Sequence, residues 1–271
     1  MVMDQKLLLV GCGKMGQALL SGWLKDGLLE ENVRVVEPLA DNNLQSRFNL
    51  NFVKSVDSLD PNFHPEFVVF AVKPQVMDDI VPLYFRFVRL QTVFLSIAAG
   101  KSTKYLESLL TKNAPIIRSM PNLPAAVGQG MTVAYKNSNV SKKQKVNATK
   151  MLEAVGEVGW VKKESLIDCV TAISGSGPAY VFLLIECLEK SAIELGLNPD
   201  LARQLAIVTV SGSSGMVRKT SESPEMLRKN VTSPGGTTEA ALEVLMGSDG
   251  LEELINAAVI AAENRSRELA E

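Results

Sequence analysis

The sequence predicts an α/β chain whose N-terminal part is built on a parallel sheet and whose C-terminal part is all helical. Three observations predict it. Near the start, the apolar run Leu7–Val10 feeds directly into Gly11, Gly13 and Gly16 and then into an apolar helical face. From there to residue 161, short apolar runs alternate with helical patterns, as in parallel sheets covered on both faces. From Glu164 onward no strand pattern remains. The expected division is therefore residues 1–163 and residues 164–271.

The glycine stretch reads as a strand, a tight turn and a helix start, with Cys12, Lys14 and Met15 filling the positions between the glycines. Gly11 permits the sharp turn, Gly13 leaves room for phosphates because it has no Cβ, and Gly16 lets helix and strand pack closely. Free N–H groups at the helix start stabilise negative charge. The following helix presents Met15, Leu19, Leu20, Trp23 and Leu24 on one face. Glu37 closes a second strand, Val33–Val36, roughly 20 residues further on, which is where a ribose-binding acid is expected. These features together predict a Rossmann-type dinucleotide-binding domain rather than a merely structural strand–turn–helix.

The next elements follow the same logic. A short helix is expected over Asp41–Phe48 and an extended piece near Asn51–Val53. Phe67–Val72 is a continuous apolar strand that ends in Ala71, Val72, Lys73 and Pro74. Carboxyl ends of such strands line the ligand crevice, so these residues are candidates for cofactor contact, mostly through backbone. Val93–Ala99 is another buried strand, and its exit at Ala98, Ala99 and Gly100 again permits close approach. Ile116–Met120 runs into a rigid loop with Pro121 and Pro124. Strands at Met131–Tyr135 and Glu157–Val161 flank a helix over Lys142–Val155.

Composition narrows the function classes. The net charge of −2, with no long run of like charges, argues against a nucleic-acid surface or a polybasic membrane anchor. No apolar stretch is read as membrane-spanning, and residues 1–6 lack a signal-peptide layout, so a cytoplasmic protein is expected. The three cysteines, Cys12, Cys169 and Cys187, have no metal-type spacing and fit free thiols. A single histidine, His64, in a proline-flanked loop argues against a multi-histidine metal site, and no metal is expected.

In the second half, helices are expected over Glu164–Thr171, Pro178–Leu195, Pro199–Lys219, Glu225–Lys229, Thr238–Leu245 and Leu251–Leu269. A flexible polar loop, Ser174 to Gly177, precedes a helix that is apolar nearly all round and carries Val181, Phe182, Leu183, Leu184, Ile185 and Leu188. Such a helix suits a subunit interface, although tight packing within one chain would also use the small residues that follow it. A second motif runs from Asn230 through Ser233, Pro234, Gly235, Gly236, Thr237 and Thr238. N–H groups of Gly236, Thr237 and Thr238 suit a carboxylate at a helix N-terminus. An ordinary capped helix start reads equally well on residue types.

Taken together, GCGKMG, AVKPQ, RSMPN, SGSGPAY and NVTSPGGTT, in this order, resemble the pyrroline-5-carboxylate reductases from Leu7 to about Leu251. The resemblance implies reduction of 1-pyrroline-5-carboxylate to proline with hydride from NADPH or NADH, the last step of proline synthesis. It implies a C-terminal helical domain that binds substrate and interlocks in homodimers, which often assemble into decamers. By the same resemblance, Gly11 to Gly16 and Ala71 to Pro74 would hold the cofactor, with Ala98 and Ala99 beside its nicotinamide end and Asn230 nearby. The backbone of Ser233 to Thr237 would hold the substrate carboxylate, and the Thr238 hydroxyl would contact the ring nitrogen.

One position departs from the NADPH-using members. Glu37 is followed by proline with no adjacent arginine, and Arg34 lies within the strand. A carboxylate there accepts from a ribose 2′-OH and repels a 2′-phosphate, which favours NADH. Two rival readings fit these residues less well than the reductase. The 3-hydroxyacid dehydrogenases share the glycine loop but rely on a lysine in the second domain, and no lysine lies between Lys163 and Lys190. A non-catalytic dinucleotide sensor would leave the Ser233–Thr238 motif unexplained.

Overall fold

The computed structural model describes residues 5–50 and 52–269. They form two compact units, one comprising the chain up to Ser176 together with residues from Ala262 onward, the other Gly177–Ala261.

The first unit is built on one sheet of eight strands: β1 (Leu7–Val10), β2 (Val33–Val36), β3 (Phe52–Val53), β4 (Phe67–Phe70), β5 (Val93–Ser96), β6 (Ile116–Met120), β7 (Gly130–Lys136) and β8 (Gly156–Trp160). Their spatial order is β3-β2-β1-β4-β5-β6-β7-β8. Every pairing is parallel except that of β6 with β7. The chain thus lays β2 and β3 on one side of β1 and returns to lay β4 on the other. The crevice beside β1 is the switch point where open α/β sheets bind ligands.

Successive residues of β1 divide between two cores. Leu7 and Leu9 pack with Leu19, Leu20 and Trp23 of α1 (Lys14–Lys25) and with Met151 and Leu152 of α5 (Lys142–Glu153). Leu8 and Val10 face Phe70, Tyr84, Phe94 and Leu106. This two-residue alternation with apolar side chains at every position is what a sheet covered on both faces demands. The Trp23 indole N–H donates to the Met151 carbonyl at 2.9 Å, tying α1 to α5.

Several expected boundaries shift. β4 ends at Phe70 rather than Val72 and β5 at Ser96 rather than Ala99, because the chain peels from the ladder to enter turns. Lys73 adopts extended backbone ahead of a 3-10 turn at Pro74–Val76 that leads into α3 (Met77–Ile80). That segment, and α4 (Thr103–Leu109) after β5, are elements the apolar periodicity did not mark. α2 (Asn42–Phe48) is capped by the Asp41 carboxylate, which accepts from the Leu44 N–H at 2.7 Å. Asn51, expected in the piece before Val53, lies outside the described residues.

The polar stretch Ser174–Gly177 is helical rather than a flexible loop. α6 (Leu166–Val170) widens into a π-helical turn at Thr171–Gly175, and α7 (Gly177–Glu194) follows. The wide turn is closed by the Ser176 N–H donating to the Thr171 carbonyl at 2.8 Å, and the Met120 Cε packs against it at Gly175, 2.6 Å from where a Cβ would stand. The helical run Leu166–Glu194 has 29 residues and contains an 18-residue window with a mean hydropathy of 1.4, enough by length and composition for a membrane span. That corrects the expectation that no stretch reaches such a length: the sequence reading broke the run at its glycines and serines, which the π turn accommodates.

The second unit holds α7, α8 (Pro199–Lys219), α9 (Pro224–Asn230), α10 (Thr237–Leu245) and most of α11 (Leu251–Glu268). Among hydrophobic residues of this unit only Ala202 and Ala206 are buried. Phe182, Leu183, Val208 and Leu254 are each at least half exposed. Helices this apolar and this uncovered present a surface made for a partner.

Candidate active site

In the sheet unit, the predicted residues collect along the carboxyl edge. One row beyond the paired strands, the Gly11 N–H donates to the Val36 carbonyl at 2.9 Å and the Ala71 N–H to the Val10 carbonyl at 2.8 Å. Glu37 N–H reaches the Val53 carbonyl at 3.0 Å, and Ile97 N–H reaches Phe70 at 3.2 Å. Gly11, Glu37, Ala71 and the exit of β5 are therefore neighbours in one row.

The three glycines of the loop occupy different surroundings. Gly11 has φ +86°, and a Cβ there would lie 2.9 Å from the Ala71 carbonyl oxygen. At Gly16 a Cβ would fall 2.6 Å from the Gly11 carbonyl oxygen, so the close helix–strand approach is real. At Gly13 nothing lies within 4 Å. Gly13 is also the N-cap of α1, and no side chain caps that end. The start of α1 at Gly13 and Lys14 is thus exposed and uncapped, with the positive end of the helix behind it. That is the arrangement a pyrophosphate needs, and the residues present fit a dinucleotide.

Glu37 is half-buried, and both of its oxygens are engaged. Oε2 accepts from the Cys12 N–H at 2.7 Å and Oε1 from the Leu39 N–H at 3.0 Å. The Cys12 side chain is 2% exposed. Burial, and then the Glu37 charge, push its thiol up to about 12, against a smaller opposing effect of Arg47. Cys12 is a packing residue rather than a nucleophile. Glu37 and Cys12 share a cleft of about 480 Å³ with Gly13, Gln17, Leu39, Asp41, Asn43, Leu44 and Arg47. Arg47, which the sequence reading did not single out, donates to Gln17 Oε1 at 3.1 Å, and Gln17 donates to the Cys12 carbonyl at 3.1 Å.

Val72 is partly buried and Lys73 exposed, with Pro74 beginning the turn behind them. Ala98 is buried, and its N–H donates to Ser96 Oγ at 3.2 Å; Ala99 is half-buried. What comes close to Gly100 is the chain itself, since a Cβ there would meet the Leu269 carbonyl oxygen at 2.6 Å. Two of the motifs also meet: Asn122 Nδ2 donates to Ser174 Oγ at 3.2 Å, and Asn122 Oδ1 accepts from the Met131 N–H at 2.9 Å.

Beneath these loops lies a buried ionic cluster that residue types had not flagged. Arg118 of β6 sits 3.3 Å from Asp168 and 3.6 Å from Glu164. Glu164 in turn accepts from both the N–H and the hydroxyl of Thr103, each at 2.7 Å. Ser266 of α11 donates to Asp168 at 2.9 Å. An arginine at the centre of the strand Ile116–Met120 was the available signal, because a buried charge requires partners.

In the helical unit, the Ser233–Thr238 motif forms a turn with Gly235 at φ +70°. The Gly236 N–H donates to the Ser233 carbonyl at 3.0 Å, and the Gly235 N–H donates to Glu239 Oε2 at 2.7 Å. Gly236 caps α10 without a side-chain bond, leaving the N–H groups of Thr237 and Thr238 uncapped. The Thr238 hydroxyl makes no hydrogen bond among the described residues, and its residue is half-buried. Asn230 closes α9, with Nδ2 donating to Glu222 Oε2 at 2.7 Å. Among the described residues no group of three or more His, Cys, Asp or Glu is placed to hold a metal ion.

Comparison with known proteins gives these features a lineage. Residues 164–269 match a family model described as pyrroline-5-carboxylate reductase dimerisation, and residues 6–109 match one described as NADP oxidoreductase, coenzyme F420-dependent. A pyrroline-5-carboxylate reductase of Pseudomonas aeruginosa is 36% identical over 98% of this chain and 97% of its own length. The solved structure of a Coxiella burnetii pyrroline-5-carboxylate reductase superposes with a TM-score of 0.92 at 34% identity, covering 99% of this chain and 100% of that one. A Plasmodium falciparum pyrroline carboxylate reductase, solved with NADP bound, gives 0.87 at 30% identity with both chains fully covered. The conserved architecture runs through sheet, glycine loop and helical unit alike, and the chain belongs to the pyrroline-5-carboxylate reductase family.

Proposed function

We propose that the chain carries out its family's reaction, reducing the C=N bond of 1-pyrroline-5-carboxylate to give L-proline with hydride from NAD(P)H. The loop Gly11 to Gly16 and the segment Ala71 to Pro74 would hold the dinucleotide, with Ala98 and Ala99 beside its nicotinamide end and Asn230 nearby; when bound, it supplies the hydride. Glu37 favours NADH, because its fixed carboxylate suits a ribose 2′-OH and repels a 2′-phosphate.

The backbone of Ser233, Gly235, Gly236 and Thr237 would hold the substrate carboxylate. The observation that carries this role is that α10 starts without a side-chain cap, which leaves the N–H groups of Thr237 and Thr238 uncommitted beside the turn at Gly235. Thr238, with its hydroxyl uncommitted, would hold the ring nitrogen. A pyrroline nitrogen is basic enough to take its proton from solvent, so these residues chiefly orient the ring and exclude misaligned poses. Positioning of this kind supplies a large share of a barrier reduction when the reacting atoms are held about 3–3.5 Å apart.

Residues 1–163 are assigned to the cofactor and residues 164–271 to substrate and dimerisation. The uncovered apolar helices of the second unit support a homodimer, which would assemble further into a decamer. Three free thiols fit a reducing, cytoplasmic compartment. The deciding experiment is parallel oxidation of NADH and NADPH on adding 1-pyrroline-5-carboxylate at neutral pH. Faster turnover with NADH is expected. Faster turnover with NADPH would overturn the role given to Glu37, and no turnover with either would overturn the reaction.

A further inference from the structure

The cleft beside the glycine loop contains one cation, and its placement is specific. Arg47 stands in the last turn of α2, exposed, with its guanidinium carbon 5.3 Å from the centre of the Phe48 ring. Its Nη1 is held by Gln17 Oε1, and Gln17 is held in turn by the Cys12 carbonyl. The guanidinium is thereby tethered through α1 to the same loop residue whose N–H binds Glu37. Of its five N–H donors one is used among the described residues. Arg47 and Glu37 line the same cleft but form no ion pair with each other, so neither charge is neutralised by the other. The remaining charged group there, Asp41, is committed to capping α2.

We propose that Arg47 is a cofactor-specificity residue, which takes the 2′-phosphate of a phosphorylated dinucleotide in the cleft where Glu37 takes the free 2′-OH of an unphosphorylated one. The inference rests on reading this cleft as the ribose end of the dinucleotide site. A guanidinium meets phosphate oxygens with paired, charge-assisted hydrogen bonds, which are about twice as strong as neutral ones. Without Arg47 the cleft keeps two carboxylates and no cation, and a dianionic phosphate would meet only like charge. With Arg47, the Glu37 carboxylate sets the preference and the guanidinium sets how much of the phosphorylated cofactor is tolerated. A plain helix-end charge, stacked on Phe48 for packing alone, would have no such selectivity.

The test is calorimetric binding of NAD⁺, NADP⁺ and 2′,5′-ADP to the full chain, comparing wild type with Arg47→Gln and Arg47→Lys. Arg47→Gln is expected to weaken NADP⁺ and 2′,5′-ADP by about tenfold or more and NAD⁺ by less than about twofold. Arg47→Lys, which keeps the charge and loses the fork, is expected to fall between. Equal weakening of NAD⁺ and NADP⁺ would overturn the proposal by showing that Arg47 only braces the loop through Gln17. Unchanged binding of all three ligands would also overturn it. A wild-type protein that binds none of them would remove the dinucleotide reading of the cleft itself, a failure visible before any variant is made.

Discussion

Glu37 Oε2 accepts a 2.7 Å hydrogen bond from the N–H of Cys12, so the acid that ends β2 clamps the glycine loop after β1. Its second oxygen holds the Leu39 N–H. Glu37→Gln can satisfy only one of these two donors, since an amide presents a single acceptor oxygen. We predict a loss of about 1 kcal/mol, read as a melting temperature lower by about 2–4 °C. The NADH-to-NADPH ratio of kcat/KM should fall about tenfold as the repelling charge disappears. A ratio that does not move would separate Glu37 from cofactor choice.

The glycine loop offers a contrast within five residues. Gly13→Ala adds a methyl where nothing stands within 4 Å, so the fold should melt as wild type while dinucleotide affinity drops at least tenfold. Gly16→Ala pushes a methyl to 2.6 Å from the Gly11 carbonyl and should instead lower stability by about 1–3 kcal/mol. Thermal melts and cofactor titrations of both variants would show the two effects dissociated. Equal loss of stability in both would contradict the open space at Gly13.

Removing the Thr238 hydroxyl should slow the reaction without disturbing the helix that carries it. Thr238→Ala is expected to lower kcat/KM for the imine by roughly tenfold or more, as one well-aimed hydrogen bond is worth ~1–3 kcal/mol. Thr238→Ser, which keeps the oxygen, should recover most of the rate. Steady-state kinetics that leave Thr238→Ala at the wild-type level would exclude it from the mechanism.

The Cys12 thiol is raised by burial, with a further contribution from Glu37, from the ordinary 9.0 to about 12. A raised acid is protonated in the fold at pH values where the unfolded chain has begun to ionise. Its stabilising contribution is complete below pH 9 and is lost as pH rises from 9 to about 12. Cys12→Ala should therefore show a shallower alkaline loss of melting temperature than wild type. Alkylation at pH 8 should leave Cys12 unmodified in the folded protein, and rapid labelling of Cys12 there would refute its burial.

Much of the sheet unit was legible because each apolar strand carries its own two-faced pattern and each glycine has a local geometric reason. Where strands end was less legible: Ala71, Val72 and Ile97 are as apolar as the strands they follow, and only their departure into turns sets them apart. The serine and glycine run at Ser174–Gly177 reads as a loop from propensity alone. Tertiary contact with Met120 and Asn122 makes it a helical turn instead. Arg47 escaped notice for a different reason. Its position in the cleft depends on how α2 is rotated against the glycine loop, and the residues around it encode no such rotation. The partners of Arg118 were similarly hidden, since Glu164, Asp168 and Ser266 come from distant parts of the chain.

The sheet unit is completed by residues beyond Ala262, with Leu269 filling the hollow over Gly100 and Ser266 closing on Asp168. In chain order every strand of the sheet therefore precedes the helix that covers Asp168 and the Gly100 turn. The apolar helices in between are translated before that helix exists.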